Sequence, residues 1–164
     1  MDSLTIRKAA ESDIDRIMPL FESARQFMRS QGNMTQWTNG YPSRETVLAD
    51  IKAGNCYAGV NSQGEIDLVF AFIIGNDATY NIIEDGEWPN DNPYGTIHRI
   101  ASSGRSGGML AACVGFCLEH IGTVRLDTHA DNHTMRRAAE SLGFARCGII
   151  YCQDGTPRIA YQLN

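Results

Sequence analysis

A strand that leads through a glycine-rich loop into an apolar helix is the feature of this chain that most restricts its fold. Residues 95–102, GTIHRIAS, have the composition of a β-strand, and the loop SGRSGG follows at 103–108. Apolar side chains then recur at helical spacing through Cys117. The first N–H groups of a helix lack intrahelical partners, so such a loop favours binding of a phosphate group. A glycine-rich turn that only connects strand to helix explains the same residues, and both interpretations stay open at this point.

The residues around Gly108 exclude two common nucleotide-binding loops. A P-loop continues with Lys and then Ser or Thr, whereas Met109 and Leu110 follow Gly108. A dinucleotide-binding fingerprint follows the first strand of its unit with the spacing G-x-G-x-x-G, and this loop lies in mid-chain with a different spacing. What the loop can offer to a pyrophosphate is the charge of Arg105 and the free amides at the helix start.

Composition places the chain in a broad class. Its 164 residues, 43% hydrophobic and 20% charged, are typical of a soluble globular protein, and we interpret 1–164 as one domain. A net charge of −5 without a basic block argues against nucleic-acid binding. The N-terminus has no signal-peptide core, and the longest apolar run, LVFAFIIG, is only strand-sized, so no membrane association is expected. Five cysteines without a CxxC pair indicate structural thiols in a reducing cytoplasm, with no disulfide framework and no metal site.

Hydrophobic periodicity predicts the element order β-α-α-β-β-β-α-β-α-β-β, an α/β fold with a mixed sheet and helices on its faces. The predicted strands lie at 4–9, 56–60, 66–75, 95–102, 123–129, 145–153 and 157–163. We expect Ser12 to cap the first helix, Ser43 the second, and Asp131 or Asn132 the last. The last two strands form a hairpin, and residues 76–94 form a long polar connection of the kind that is usually functional or mobile.

Two motifs in this order point to a known family. The segment Arg105-Ser-Gly-Gly108-Met-Leu110 and the segment from Asn132 to Leu142-Gly143-Phe144 are about two dozen residues apart. They resemble the pyrophosphate loop R/Q-x-x-G-x-G/A and the N-x-x-A…L-G-F segment of the GNAT superfamily of acetyl-CoA-dependent N-acetyltransferases. Either motif alone is weak, but the pair on these elements is specific, and the element order matches the GNAT fold over nearly the whole chain. Further sequence segments, such as HRIASSG and DTHADN, resemble those of a bacterial GNAT subgroup.

The resemblance implies a site for acetyl-CoA between strands 95–102 and 123–129, which separate in this superfamily. Backbone groups of one strand would run beside the pantetheine arm like a missing sheet partner. The loop amides would hold the pyrophosphate, and the last helix would flank the cofactor. The implied cofactor-binding residues are Ile100, Ala101, Ser102, Arg105, Ser106, Gly107, Gly108, Met109, Leu110, Asn132, Met135 and Arg136. For Arg136, a solvated charge on the helix surface fits at least as well.

Two positions depart from the family pattern. Leu110 fills the last small position of the loop, so its side chain must point away from the pyrophosphate. Ala139 stands where many family members have a tyrosine that protonates the leaving thiolate. That role must therefore fall to another residue, for which Tyr151 is our candidate and Tyr161 the second. A sheet tyrosine with a purely structural hydroxyl is the alternative for both.

In this superfamily an amine attacks the thioester directly, so no cysteine is expected to act as nucleophile. An alkylammonium has a pKa of about 10.4, and a base must remove its proton at neutral pH. His98 is the best candidate base, since it lies on the strand before the loop and imidazole titrates near neutral pH. A packed sheet histidine explains it equally well. Asp127 is our second catalytic candidate and His129 an amine-binding one, although DTHADN can also be a polar turn that caps the last helix.

Residues in the two long loops are the remaining candidates for binding the acceptor. Trp37 and Tyr41 lie between the first two helices, where relatives shape the acceptor site. Glu87 offers a carboxylate and Trp88 a ring face to a cation, while a solvated charge and a loop anchor are the simpler explanations.

The resulting prediction is acetyl transfer from acetyl-CoA to a primary amine of a small molecule or peptide. A catalytically weak or inactive GNAT domain that binds or senses acyl-CoA is the alternative, suggested by Leu110 and Ala139. A longer acyl group or a hydroxyl acceptor is a third hypothesis. A homodimer through the C-terminal hairpin, a common GNAT pairing surface, is also compatible with the sequence.

Overall fold

A computed structural model describes residues 3–164, so residues 1 and 2 of the predicted domain lie outside it. The strands are β1 Thr5–Lys8, β2 Cys56–Val60, β3 Ile66–Ile74, β4 Gly95–Ser102, β5 Val124–Thr128, β6 Ala145–Tyr151 and β7 Pro157–Leu163. The helices are α1 Ile14–Ser30, α2 Arg44–Lys52, α3 Met109–Leu118 and α4 His133–Ser141. Short 3₁₀ turns cover Glu11–Asp13 and Ala78–Tyr80. The predicted mixed α/β fold is confirmed. Within residues 3–164 there is no helix of the length and apolar character that a bilayer span requires.

The described strands form one sheet in the order β1-β2-β3-β4-β5-β7-β6. Neighbours are antiparallel except β4 and β5, which are parallel. The β4–β5 pairing covers Gly95 opposite Val124 and Thr96 opposite Arg125, and beyond Thr96 no further pair forms between the described residues of the two strands. A gap therefore opens in the middle of the sheet towards the end of β4.

The two faces of the sheet bury separate clusters of apolar side chains. On one face, which we call the α3/α4 face, Phe70, Leu126 and Tyr161 pack with Cys113 and Cys117 of α3. On the opposite, α1/α2 face, α1 and α2 cover the first half of the sheet; their cluster includes Ile17, Phe21, Val47, Ala58 and Val69. A third cluster covers the other half of this face and consists of Tyr80, Tyr94, Ile150 and Ala160.

Helix starts confirm two of the three predicted caps. Ser43 Oγ accepts the N–H of Thr46 at 3.1 Å, and Asn132 Oδ1 accepts that of Met135 at 3.2 Å. The prediction for Ser12 is wrong, because Ser12 lies within a 3₁₀ turn that precedes α1; Asp13 is at the N-cap position, and its side chain caps no N–H group of α1. The Asp13 carboxylate accepts the N–H of Ala10 at 2.8 Å and two hydrogen bonds from Arg7. The hydrogen bonds from Arg7 hold the pKa of the Asp13 carboxyl far below its usual range.

The connection between β3 and β4 is anchored to the sheet by Arg125. Its guanidinium carbon lies 3.8 Å from the ring centroid of Trp88 and 3.9 Å from that of Tyr94. Nε donates to Gln162 Oε1 at 2.9 Å, and Trp88 Nε1 donates to the carbonyl of Tyr80 at 2.9 Å. The connection is thus fixed over the second half of the sheet. Trp88 has the anchoring role rather than a role in a cation site for substrate.

We expect Arg125→Lys to lower the free energy of unfolding by about 2 kcal/mol, because an ammonium loses the planar stacking on both rings and the directed bond to Gln162. Urea denaturation measures this change. The same substitution at exposed Arg137 of α4 is the control and should leave the midpoint unchanged. Equal midpoints for the two variants would show that Arg125 does not anchor the connection.

Candidate active site

A β-bulge in β4 marks the point at which the sheet opens. Val69 pairs with Ala101 and Ala71 with His98, so Arg99 and Ile100 together oppose the single residue Phe70. Arg99 has a φ of 46°, a conformation that is costly for a side-chain-bearing residue. The bulge bends β4 away from β5 and re-aims the side chains on either side of it.

An ion pair holds the bulge in place. Arg99 donates from Nε and Nη2 to the two carboxylate oxygens of Asp50 at 2.7 and 2.9 Å, and from Nη1 to the Tyr41 hydroxyl at 3.0 Å. Burial opposes the charge, but the Asp50 carboxylate outweighs it and raises the pKa of Arg99. The bidentate contact therefore stabilises the strained backbone at Arg99. The sequence analysis missed both residues, which are 49 positions apart and share no motif.

A cavity of about 650 Å³ begins at the bulge and runs along the glycine loop; we call it the glycine cleft. Of the predicted cofactor residues, it is lined by Ile100, Ala101, Ser102, Ser106, Gly107, Gly108, Met109, Leu110, Asn132 and Met135. A Cβ at Gly104, Gly107 or Gly108 would meet no other atom within 4 Å, so the loop backbone borders open space. Leu110 lines this cleft and also packs against the core of the α3/α4 face. A backbone without side chains beside a helix start fits a pyrophosphate.

The side chains of Arg105 and Arg136 do not line the glycine cleft, and each has a partner within the chain. Arg105 binds Asp67 Oδ1 through Nε at 2.9 Å and Nη2 at 2.7 Å. Asp67 is buried, and although burial opposes its ionisation, donors including Ser103 and Arg105 lower its pKa, so it retains the guanidinium. Arg136 donates to the carbonyl of Ala130 at 3.0 Å. The loop amides remain as the groups that face the cleft.

A second cavity, also about 650 Å³, lies on the α1/α2 face between the loop after α1 and the β3–β4 connection; we call it the acceptor cleft. It shares Met28, Ile100, Asn132 and Met135 with the glycine cleft, so the two cavities meet at the bulge. Four of the predicted catalytic and substrate-binding residues line the acceptor cleft: Trp37, Tyr41, His98 and Asp127.

His98 is oriented by a carboxylate that the sequence analysis did not identify. Its Nε2 lies 2.9 Å from Asp77 Oδ2, and Asp77 Oδ1 accepts the N–H and hydroxyl of Thr79 at 3.0 and 2.6 Å. The hydrogen bond to His98 and the Thr79 donors outweigh burial and lower the pKa of Asp77 to about 2. An ionised Asp77 can only accept, so Nε2 of His98 carries the proton and Nδ1 is the nitrogen left for a ligand. No signal in the sequence links His98 to a residue 21 positions earlier in a polar loop.

Asp127 provides a second carboxylate in the acceptor cleft. Tyr80 donates to its Oδ2 at 2.6 Å, and Oδ1 receives no hydrogen bond from residues 3–164. Burial and the charge of Asp127 raise the pKa of Tyr80 well above its usual value, so the phenol stays a donor. Thr128 also lines this cleft, and its buried hydroxyl has no partner in the described chain. The cleft therefore presents a carboxylate oxygen without a hydrogen-bond partner among residues 3–164, as a site for a polar ligand does.

The structure separates three predicted residues from the clefts. Tyr151 lies at the end of edge strand β6, 40% exposed, donates to Glu84 at 2.9 Å and lines neither cleft. Glu87 is exposed and lines neither cleft. Tyr161 is fully buried and accepts from Arg136 at 3.3 Å. His129 stands at the rim, where its Nε2 lies 2.7 Å from the hydroxyl of Thr35, a residue that lines the acceptor cleft.

Gly108 should be the glycine of the loop that tolerates substitution least. It begins α3 with a φ of 74°, whereas Gly107 lies outside the left-handed region, and neither would bring a Cβ against another atom. Gly108→Ala should lower the free energy of unfolding by about 1 kcal/mol, because an L-residue is strained there. Gly107→Ala is the matched control and should be close to neutral. Thermal or urea unfolding without ligand decides the matter, and equal stability of the two variants would contradict the assigned conformation.

Comparison with known proteins assigns the family. No protein-family model and no curated protein matches the chain. Among solved structures, it is similar to a GNAT family acetyltransferase from Streptococcus agalactiae 2603, with 36% identity over 97% of this chain and 94% of that chain and a TM-score of 0.88. A GNAT family acetyltransferase from Listeria monocytogenes 4b F2365 shares the fold at 19% identity, covering 98% and 94% of the two chains, with a TM-score of 0.70.

The ribosomal-protein-S18-alanine N-acetyltransferase from Escherichia coli also shares the fold, at 15% identity, 98% and 93% coverage and a TM-score of 0.60. The first similarity extends over almost the full length of both proteins, and it agrees with the glycine loop, the open β4–β5 gap and the element order. The chain therefore belongs to the GNAT family of acetyltransferases.

Proposed function

We propose that the protein transfers the acetyl group of acetyl-CoA to the primary amine of a small molecule or peptide, by direct attack of the amine on the thioester. The observation that carries this proposal is the meeting of the two clefts at the β4 bulge, through Met28, Ile100, Asn132 and Met135. Two substrates can approach each other there from the two cavities. The known substrates of distant structural neighbours, the S18 alanine among them, support an amine as acceptor.

The glycine cleft has the groups that CoA requires. Its loop presents amides beside glycines whose missing Cβ atoms leave open space, and α3 begins at Gly108. Beyond Thr96, the edge of β4 that faces β5 makes no sheet pair, so Ile100, Ala101 and Ser102 have backbone groups to offer to the pantetheine amides. Acetyl-CoA supplies an activated acetyl thioester, and these residues place it at the junction of the clefts.

The acceptor cleft has the groups that an amine requires. Asp127 Oδ1 is available to an ammonium, and His98 Nδ1 can accept its proton, because Asp77 holds Nε2. The imidazole thereby generates the neutral amine that attacks, and Asp77 stabilises the imidazolium that results. Holding the amine and the thioester in adjoining cavities further lowers the activation barrier, because the two reacting groups are already close together.

One observation favours the alternative that the protein binds acyl-CoA without rapid turnover. Ala139 is fully buried, Tyr151 lies outside both clefts, and the hydroxyl of Tyr41 is engaged by Arg99. Neither Ala139 nor Tyr151 thus supplies a tyrosine hydroxyl at the junction, whereas Tyr41 lines the acceptor cleft, accepts from Arg99 and, within residues 3–164, keeps its O–H free to donate. In the enzyme, the O–H of Tyr41 and the proton that His98 takes from the amine are the sources available for protonating the leaving thiolate.

Binding of CoA tests the cofactor site. CoA at 100 times its dissociation constant should stabilise the protein by about 2.7 kcal/mol and raise the melting temperature accordingly. Gly107→Val should abolish this shift, because its side chain extends into the glycine cleft without touching other atoms. Gly122→Val, which also has open space but lies outside both clefts, should retain it. Failure of CoA to stabilise the wild-type protein would remove the cofactor assignment.

Turnover with a panel of amines, followed by release of free thiol, tests catalysis. His98→Ala should lower kcat by about 100-fold, the usual contribution of a general base, with the CoA-induced thermal shift intact. Asp77→Asn should lower kcat in the same direction by a smaller factor, since the imidazole remains but loses its charged partner. His120→Ala, an exposed histidine at the end of α3, is the control. Unchanged turnover in His98→Ala would remove His98 from the mechanism.

A further inference from the structure

The C-terminal hairpin places a guanidinium without a carboxylate partner in the acceptor cleft. Arg158 lines this cleft, and its Nη1 donates to the hydroxyl of Thr156 and the carbonyl of Pro157, both at 3.1 Å. Between residues 3 and 164, no Asp or Glu oxygen lies within 4.0 Å of its side-chain nitrogens. Arg99, the other arginine of the cleft, is by contrast neutralised by Asp50.

The nearby acidic groups have other hydrogen-bond partners. Asp154 lies in the same hairpin turn, and its Oδ1 accepts the N–H and hydroxyl of Thr156 at 3.0 and 2.6 Å; these bonds, with the charge of Arg158 beyond contact distance, lower the pKa of Asp154. Asp77 is held by His98 and Thr79. The positive charge of Arg158 is felt at the rim of the cleft, where it adds to burial in lowering the pKa of His129.

Strand register places Arg158 and Asp127 on the same face of the sheet. Asp127 of β5 pairs with Ala160 of β7, and Arg158 precedes Ala160 by two residues, so both side chains project from the α1/α2 face. Their positions are diagonal cross-strand neighbours, which lie about 7–8 Å apart. The cleft therefore presents, side by side, a carboxylate with a free oxygen and a guanidinium with free N–H groups.

We propose that the acceptor is an amino acid, whose carboxylate binds Arg158 and whose amine lies between Asp127 and His98. This inference rests on the proposed acetyl transfer and names the substrate class. A carboxylate a few bonds from an amine matches the spacing of the two charges, and Arg158 offers it charge-assisted hydrogen bonds. A diamine or simple alkylamine leaves Arg158 unpaired and, in the case of a diamine, brings a second cation towards it. Arg158 is thus the specificity-determining residue of the cleft.

Matched pairs of acceptors test this inference: L-lysine with cadaverine, L-phenylalanine with phenethylamine, and L-tyrosine with tyramine, with phosphoethanolamine as the phosphate-bearing probe. With acetyl-CoA and the full-length protein, kcat/KM should be higher for the amino acid of a pair than for its decarboxylated partner. Arg158→Gln should lower kcat/KM for amino acids by about 10- to 100-fold, the loss expected for a charge-assisted hydrogen bond, and leave the decarboxylated amines unchanged.

Two further variants separate binding of the anion from structural damage. Arg158→Lys keeps the charge and should recover part of the preference for amino acids. Arg146→Gln on the neighbouring strand β6 removes an arginine that pairs with Asp85 and lines neither cleft, so it should behave as wild type.

The outcomes distinguish this inference from the proposed function. Release of CoA with decarboxylated amines as good as, or better than, the amino acids overturns the inference and leaves acetyl transfer intact; so does an equal loss for both classes in Arg158→Gln. Preference for phosphoethanolamine alone overturns the carboxylate assignment. If no amine releases CoA, acetyl transfer fails. In that case the melting temperature of the CoA-loaded protein is measured with and without the same amino acids. An increase that is lost in Arg158→Gln supports an amino acid as the ligand, and no increase with any amino acid overturns the inference.

Discussion

The pairing between β4 and β5 ends after two positions, and the site depends on where it ends. Continued pairing beyond Thr96 would close the gap and leave the backbone of Ile100–Ser102 with no group to offer a ligand. The bulge at Arg99 and Ile100 sets this limit by directing β4 away from its neighbour. Both cavities begin at this bulge, so one local irregularity in one strand creates the meeting point of two substrates.

The ion pair between Arg99 and Asp50 shows how the fold maintains that irregularity. A buried pair of charges adds little net stability, because desolvation offsets most of the attraction. Its geometry is nevertheless demanding, since two N–H groups meet two carboxylate oxygens and a third meets Tyr41. The pair fixes one backbone conformation at Arg99 and connects α2, the loop after α1 and β4.

Sequence patterns predicted the features that depend on neighbouring residues. The strand at 95–102, the caps by Ser43 and Asn132, and the fold class all follow from local periodicity and side-chain chemistry, and the structure agrees. The errors and omissions involve partners that are distant in sequence. Arg105 binds the buried carboxylate of Asp67, Arg7 binds Asp13 at the turn that precedes α1, and His98 meets Asp77 only in the folded chain. A local sequence pattern holds no information about these long-range contacts.

The two clefts are built from different kinds of structure. The glycine cleft lies on β4, α1, α3, α4 and the glycine loop, whereas the acceptor cleft takes many of its polar groups from the loop after α1, the connection held by Arg125 and the C-terminal hairpin. Loops tolerate replacement better than the elements that carry them. Acceptor preference can therefore diverge among descendants of such a protein through exchange of three surface segments, while the cofactor half remains under separate constraint. The anchoring by Arg125 lets the rest of the connection change while it keeps its position over the sheet, as long as aromatic rings remain where Trp88 and Tyr94 stand.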